Sequence, residues 1–208
     1  MKCFYLLLAV LILAACSKEK VYGPLKLKNG QEVEVLVSHR YGSIDDQILV
    51  LPQNASPQMP LSGFADREPG YNYRVKAKMV AAQGPPMQDG GPVDNLLFIS
   101  VISKEKYDGN TPFKLALIQS YVPGGPVIML RKLDGQYHFI PEKITLTYAD
   151  DEVRKQLEEI WQYNEALQED YQNGGTPVMK WRTITATATH DPEKFGKAYL
   201  VSHIEFTE

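Results

Sequence analysis

His39, His138, His190 and His203 are the four side chains in this sequence best suited to proton transfer or metal ligation. A histidine metal site usually shows a second histidine, a cysteine or a carboxylate at the short spacing that one helix face or hairpin imposes. None of the four lies on the predicted helix, so none has such a neighbour on a helix face. Each reads as a surface or hydrogen-bonded strand residue, and no metal or other cofactor is expected. Paired carboxylates can divide acid and base roles, and Asp45-Asp46 and Asp150-Asp151 have the composition for it. The first pair follows Gly42-Ser43 and suits a turn; the second stands where a helix begins and suits a cap. No Gly-x-Ser-x-Gly occurs, and no serine or threonine has a recognisable base nearby in sequence. No catalytic residue is expected.

Binding chemistry has more to work with. Residues 84–95 form a glycine- and proline-rich stretch carrying Asp89, Asp94 and Asn95. Its oxygens lack the alternating spacing of an EF-hand, so an irregular loop is expected rather than a calcium site. In barrels of the OB type, the loop before the last strand often frames a ligand. By that analogy Asp89, Asp94, Asn95 and His190 are the candidate binding residues. Trp181 joins them as a possible stacking platform for a sugar, whereas Trp161 falls on an apolar helix stripe and is expected in the core.

Cys16 carries chemistry of another kind. Lys2 provides a short positive segment, residues 4–13 an apolar run too short to span a bilayer permanently, and Ala14-Ala15 the small residues before a cut. Leu13-Ala14-Ala15-Cys16 resembles the lipobox of bacterial lipoproteins. That resemblance implies cleavage before Cys16, a thioether to diacylglycerol and acylation of the freed amine. Several acyl chains together anchor stably where one does not. Ser17 follows, not Asp, which in Gram-negative envelopes favours the outer membrane. The membrane, reached through Cys16, is the first expected partner.

Composition narrows what the rest can be. Cys3 and Cys16 are the only cysteines, so the body after cleavage holds no thiol nucleophile and no internal disulfide. Removing Lys2 leaves 21 Lys+Arg against 25 Asp+Glu, a net charge near −4 with no basic stripe. Nucleic acid is therefore excluded as the main partner. Twelve Tyr and fourteen Pro, with frequent Gly, predict short strands and many turns.

Those strands must position the candidates. Residues 31–37, 47–51, 71–80 and 96–103 read as strands of a first half. Tyr71, Tyr73, Val75, Ala77 and Met79 lie on one face of the third, with Asn72, Arg74, Lys76 and Lys78 on the other. Residues 108–112 make the best linker. In the second half residues 127–133 and 136–140 flank Asp134-Gly135, a strong hairpin signal, and residues 143–148 add a strand. Residues 150–173 form the one long helix, with Val153, Leu157, Ile160, Trp161, Asn164, Leu167 and Tyr171 as its stripe. Residues 178–189 and 197–206 close the chain as strands. In the last, Ala198, Leu200, Ser202, Ile204 and Phe206 share a face, opposite Tyr199, Val201, His203 and Glu205.

The run Leu61-Ser62-Gly63-Phe64, Glu68-Pro69-Gly70-Tyr71, Tyr73-Arg74-Val75 and residues 97–104 resembles the core of domain of unknown function 4377. That family occurs in bacterial lipoproteins, sometimes beside heat-shock META domains. The resemblance spans about residues 33–106 and implies no activity. A short internal similarity sets Tyr73-Arg74-Val75-Lys76-Ala77 beside Trp181-Arg182-Thr183-Ile184-Thr185.

The expected fold is mainly β, a β-rich α+β chain of two small OB-like, β-barrel or β-sandwich domains with one long helix at about 150–173. Signal peptide 1–15, tether 16–27, a β domain 28–108 and a β domain with helix 112–208 are the expected parts. The expected function is a non-catalytic, lipid-anchored envelope lipoprotein of binding or accessory type, whose domains bind a protein or another envelope component. Glycan binding and envelope-polymer hydrolysis are the rivals. An exposed Trp181 favours the glycan, convergent Asp, His and Ser favour the hydrolase, and exposed apolar strand edges favour a protein.

Overall fold

The computed structural model describes residues 19–84, 92–121, 125–140, 143–176 and 178–208. The lipobox and Asp89 lie outside the described residues. The fold is mixed α+β, with one long helix and a curled, half-barrel-like sheet.

The first half opens with β1 (Val21–Tyr22) and β2 (Leu27–Lys28), a small hairpin. Then come β3 (Glu32–Val37), β4 (Ile48–Leu51), β5 (Leu61–Ser62), β6 (Tyr71–Val80) and β7 (Asn95–Lys106). They form one sheet in the order β4-β3-β6-β7-β5, antiparallel except for the parallel pair β5·β7. Alternation dictates its concave face: Val33, Val35, Val37, Tyr73, Val75, Ala77 and Met79 are buried together with Leu96, while Glu32, Glu34, Arg74 and Lys76 pair across the outer face.

The second half contains β8 (Phe113–Ala116), β9 (Ile118–Tyr121), β10 (Gly125–Ile128), β11 (Arg131–Leu133), β12 (Gln136–Ile140), β13 (Ile144–Tyr148), α1 (Asp151–Gln172), β14 (Thr183–His190) and β15 (Ala198–Thr207). Its main sheet runs β11-β12-β13-β15-β14-β8, and β9 pairs with β10 beside it. Asp134 and Gly135 both take positive φ, the conformation a two-residue hairpin turn demands. Asp150 caps α1 by accepting the Val153 amide at 2.9 Å. Val153, Leu157, Ile160, Asn164 and Leu167 are buried as the stripe predicts. Trp161 is partly buried, and Tyr171, at the frayed end, is exposed.

The two halves share a pairing plan. Each ends in a long antiparallel hairpin, β6·β7 or β14·β15. In each, the last strand takes a parallel neighbour on its other side, β5 or β13. The penultimate strand takes the half's first long strand, β3 or β8, antiparallel. The internal similarity sets residues 73–77 of β6 beside residues 181–185, of which only Thr183, Ile184 and Thr185 lie on β14.

Two expectations need correction. Residues 178–182 do not continue β14. The Tyr163 hydroxyl on α1 accepts the Lys180 amide at 2.6 Å and donates to the Val178 carbonyl at 2.9 Å, so a side chain satisfies backbone groups that a strand would have paired. The face assignment of β15 fails past its middle. Ser202 is an extra residue between the pairs Thr187↔His203 and Ala188↔Val201. This bulge turns Tyr199, Val201 and Ile204 to the core together.

Candidate functional site

Two places bring chemically distinct side chains together: the junction of the halves and the free edge of β7.

At the junction, His39 follows β3 and His190 ends β14. Their rings meet, Nδ1 of His39 lying 2.8 Å from Nε2 of His190. Tyr107, just past β7, stacks on His39 at 3.6 Å between centroids and 6° between planes. Phe113, Phe195 and Tyr199 pack around His190. Gly70, from the Glu68-Pro69-Gly70 turn, holds the arrangement from below. Its amide donates to the His39 carbonyl and its carbonyl accepts the Tyr107 amide, both at 2.9 Å. At φ +83°, a Cβ there would stand 2.6 Å from Cζ of Phe195. This turn is thus a seat for an aromatic ring from the other half.

Burial lowers both imidazoles from the ordinary 6.5 to about 4, with the Arg40 guanidinium pushing each the same way and His190 adding to the effect on His39. Both rings are neutral at pH 7, so one donates and the other accepts. Nδ1 of His190 is buried without a partner among the described residues. An orphan lone pair costs less than an orphan N–H, which assigns the proton to Nε2 of His190 and the acceptor role to Nδ1 of His39.

Around His39, Arg40 pairs with Asp45. The Arg67 side chain is only 8% exposed and binds Asp46 through both terminal nitrogens, at 2.8 and 2.5 Å, and the Ser38 carbonyl at 2.7 Å. Asp45 and Asp46 are therefore ion-pair partners rather than a proton-sharing dyad. Neither histidine of the pair is hydrogen-bonded to a hydroxyl, thiol or carboxylate among the described residues. The geometry joins two halves; it does not arm a nucleophile. No group of three or more His, Cys, Asp or Glu that could hold a metal occurs among the described residues.

The second place is the free edge of β7. β5 covers it only at Leu96 and Leu97, and no described strand pairs with that edge from Phe98 to Lys106. Two bulges mark this stretch. Ile99 is extra between the pairs Ala77↔Phe98 and Lys76↔Ser100, and Ile102 between Val75↔Val101 and Arg74↔Ser103. Ile99, Val101 and Ile102 are 43%, 45% and 47% exposed. In β15, the counterpart strand, the exposed residues past the cover of β13 are Ser202, His203, Glu205 and Thr207. One position in the shared plan is thus polar in the second half and apolar in the first.

The sheet of the first half is open between β4 and β5. There a cleft of about 290 Å³ is lined by Tyr41, Ile48, Leu61, Gly63, Phe64, Ala65, Arg67 and Lys143. Phe64 stacks on Phe98 of β7 at 4.4 Å, which ties the cleft to the free edge. Lys143, from the second half, donates to the Ala65 carbonyl at 2.7 Å.

The candidate residues from sequence disperse. Asp94 accepts the Ala82 amide and Asn95 accepts the Ser62 hydroxyl, both at 2.8 Å, so their oxygens tie the loop ends to the sheet. Trp181 is 5% exposed, packed between Tyr163 and Phe206. Only His190 reaches the junction, and its partner His39 stands 151 positions away, beyond any spacing rule. The β7 edge had a signal: its run of apolar residues reads as a strand, but not which neighbour it lacks.

The chain matches no protein-family model, no curated protein and no solved structure.

Proposed function

We propose that this chain is a non-catalytic lipoprotein of the bacterial envelope, probed outward from a lipidated Cys16, that binds a protein partner along the free edge of β7. The observation that carries the reading is the exposed apolar stretch Ile99, Val101 and Ile102 on a strand whose second edge has no described strand beside it from Phe98 onward. Exposed strand edges are normally blunted with charge or covered, because unpaired N–H and C=O groups recruit other chains. An edge left open and apolar has a use for that recruitment. Burial of Trp181 favours a protein over a glycan, since the indole offers no open face for stacking.

We also propose that both halves are OB-type units related by duplication. In the second half the pairings β9·β10, β11·β12, β12·β13, β13·β15, β15·β14 and β14·β8, with α1 between β13 and β14, support this reading. The first half follows the same plan, with no helix and no closing pair between β4 and β5 among the described residues.

The test is affinity purification of the full chain from envelope extract in detergent, beside two variants. Ile99→Lys/Val101→Lys is expected to lose a protein that the wild type and Glu205→Lys, a change on β15, both retain. Identical recovery by all three overturns the reading. Cys16→Ala is expected to leave the membrane fraction; persistent membrane association overturns the anchor.

A further inference from the structure

We infer that the occupant of the β7 edge is an extended protein segment that adds a strand to the first sheet and sets a large apolar or aromatic side chain, next to a carboxylate, into the cleft beside Lys143. This rests on the protein-binding reading above and specifies what is bound.

Strand addition needs a free backbone edge for affinity and a pocket for selected side chains. Both lie at the same opening of the sheet. Of the strands near this opening, β4 is already occupied: Val50 and Ala55 exchange backbone hydrogen bonds there, at 2.9 and 3.4 Å, and β5 covers β7 only at Leu96 and Leu97. β7 has no such cover from Phe98 onward. An incoming strand therefore pairs with β7. The edge and the cleft meet at two points, the Phe64–Phe98 stack and Gly63, where a Cβ would lie 3.3 Å from the Leu97 side chain. Leu97 closes the covered part of the edge, so a strand continuing past it passes the cleft mouth.

The cleft selects by chemistry. Ile48, Leu61, Phe64 and Tyr41 supply apolar and aromatic walls for one large side chain. Arg67 is already neutralised by Asp46. Lys143 forms no ion pair among the described residues; its ammonium sits 5.5 Å from the Tyr41 ring centre and holds only the Ala65 carbonyl. It is the charge left to meet a carboxylate.

The experiment is selection of random peptides displayed on phage against the full chain in detergent, followed by fluorescence anisotropy with the selected peptides. Enrichment of alternating apolar sequences with an aromatic or large apolar residue beside Asp or Glu is expected. Affinity is expected to fall at least about tenfold for Ile99→Lys/Val101→Lys and for Lys143→Glu. A peptide whose acid is replaced by lysine is expected to regain affinity for Lys143→Glu alone, a rescue that misfolding cannot produce. Peptides that need the edge but show no acidic preference and ignore Lys143→Glu overturn this inference while leaving protein binding at the edge intact. Selected peptides indifferent to the edge variant, or no selection at all, overturn both.

Discussion

His39 and His190 hold a 2.8 Å hydrogen bond between their rings across 151 positions of sequence, one from each half of the chain. Both are depressed from 6.5 to about 4. Between these values the unfolded chain binds protons that the folded chain refuses, so stability falls as pH drops from about 6.5 to 4 and changes little above. Once charged, both rings are donors beside Arg40, and His39 also feels the Asp45 carboxylate and the Arg67 guanidinium. Urea unfolding at pH 7, 5.5 and 4.5 checks this. The midpoint of the wild type is expected to fall with pH, and the His39→Gln/His190→Gln variant is expected to start lower and slope less. Equal slopes would contradict the linkage.

Arg67 and Arg74 separate two kinds of ion pair. Arg67 is buried on Asp46 and the Ser38 carbonyl, while Arg74 pairs with Glu34 on an exposed face. Removing one partner of a buried pair strands the other, so Arg67→Ala is expected to lose about 3–5 kcal/mol. Arg74→Ala is expected to lose about 1 kcal/mol or less. Thermal melts in low and high salt distinguish them: the small effect of Arg74→Ala is expected to vanish with salt, and the large effect of Arg67→Ala to persist.

Local patterning carried much of this architecture. Residues 71–80 alternate and become β6 with the same ends, because one face is buried and a slip of one residue would expose it. Asp150 caps α1 as its position before the apolar stripe requires. What failed depended on contacts distant in sequence. The bulge at Ser202 is set by pairing with β14, and the loss of strand at residues 178–182 by a tyrosine hydroxyl fifteen residues upstream. The histidine junction and the cleft are likewise assembled from both halves. Nothing in the spacing of His39 or Lys143 announces the residues they meet.

Gly70 tests the junction by a double-mutant cycle. Its φ of +83° strains any other residue, and the Phe195 ring occupies the space a Cβ needs. Gly70→Ala is expected to cost about 1–3 kcal/mol from backbone strain alone, and more from the ring. Phe195→Ala removes this partly buried ring and is expected to destabilise by about 1–3 kcal/mol through lost packing. If the ring rests on Gly70, the two changes together are expected to cost less than their sum, because the second relieves the clash created by the first. Strict additivity in denaturant melts would mean that the ring and the turn do not touch in solution.

Leu157 tests how far the second half depends on its helix. Its side chain is fully buried between α1 and the sheet, in the same cluster as Phe139, Ile144 and Tyr199. Leu157→Ala leaves a cavity and is expected to cost about 2–5 kcal/mol. Leu157→Asp places an unpaired carboxylate there and is expected to unfold the second half. Asp150→Ala touches only the cap and is expected to cost about 1 kcal/mol. Circular dichroism melts rank the three. The expected order of loss is Leu157→Asp, then Leu157→Ala, then Asp150→Ala. An aspartate tolerated at 157 would mean that α1 does not bury this face.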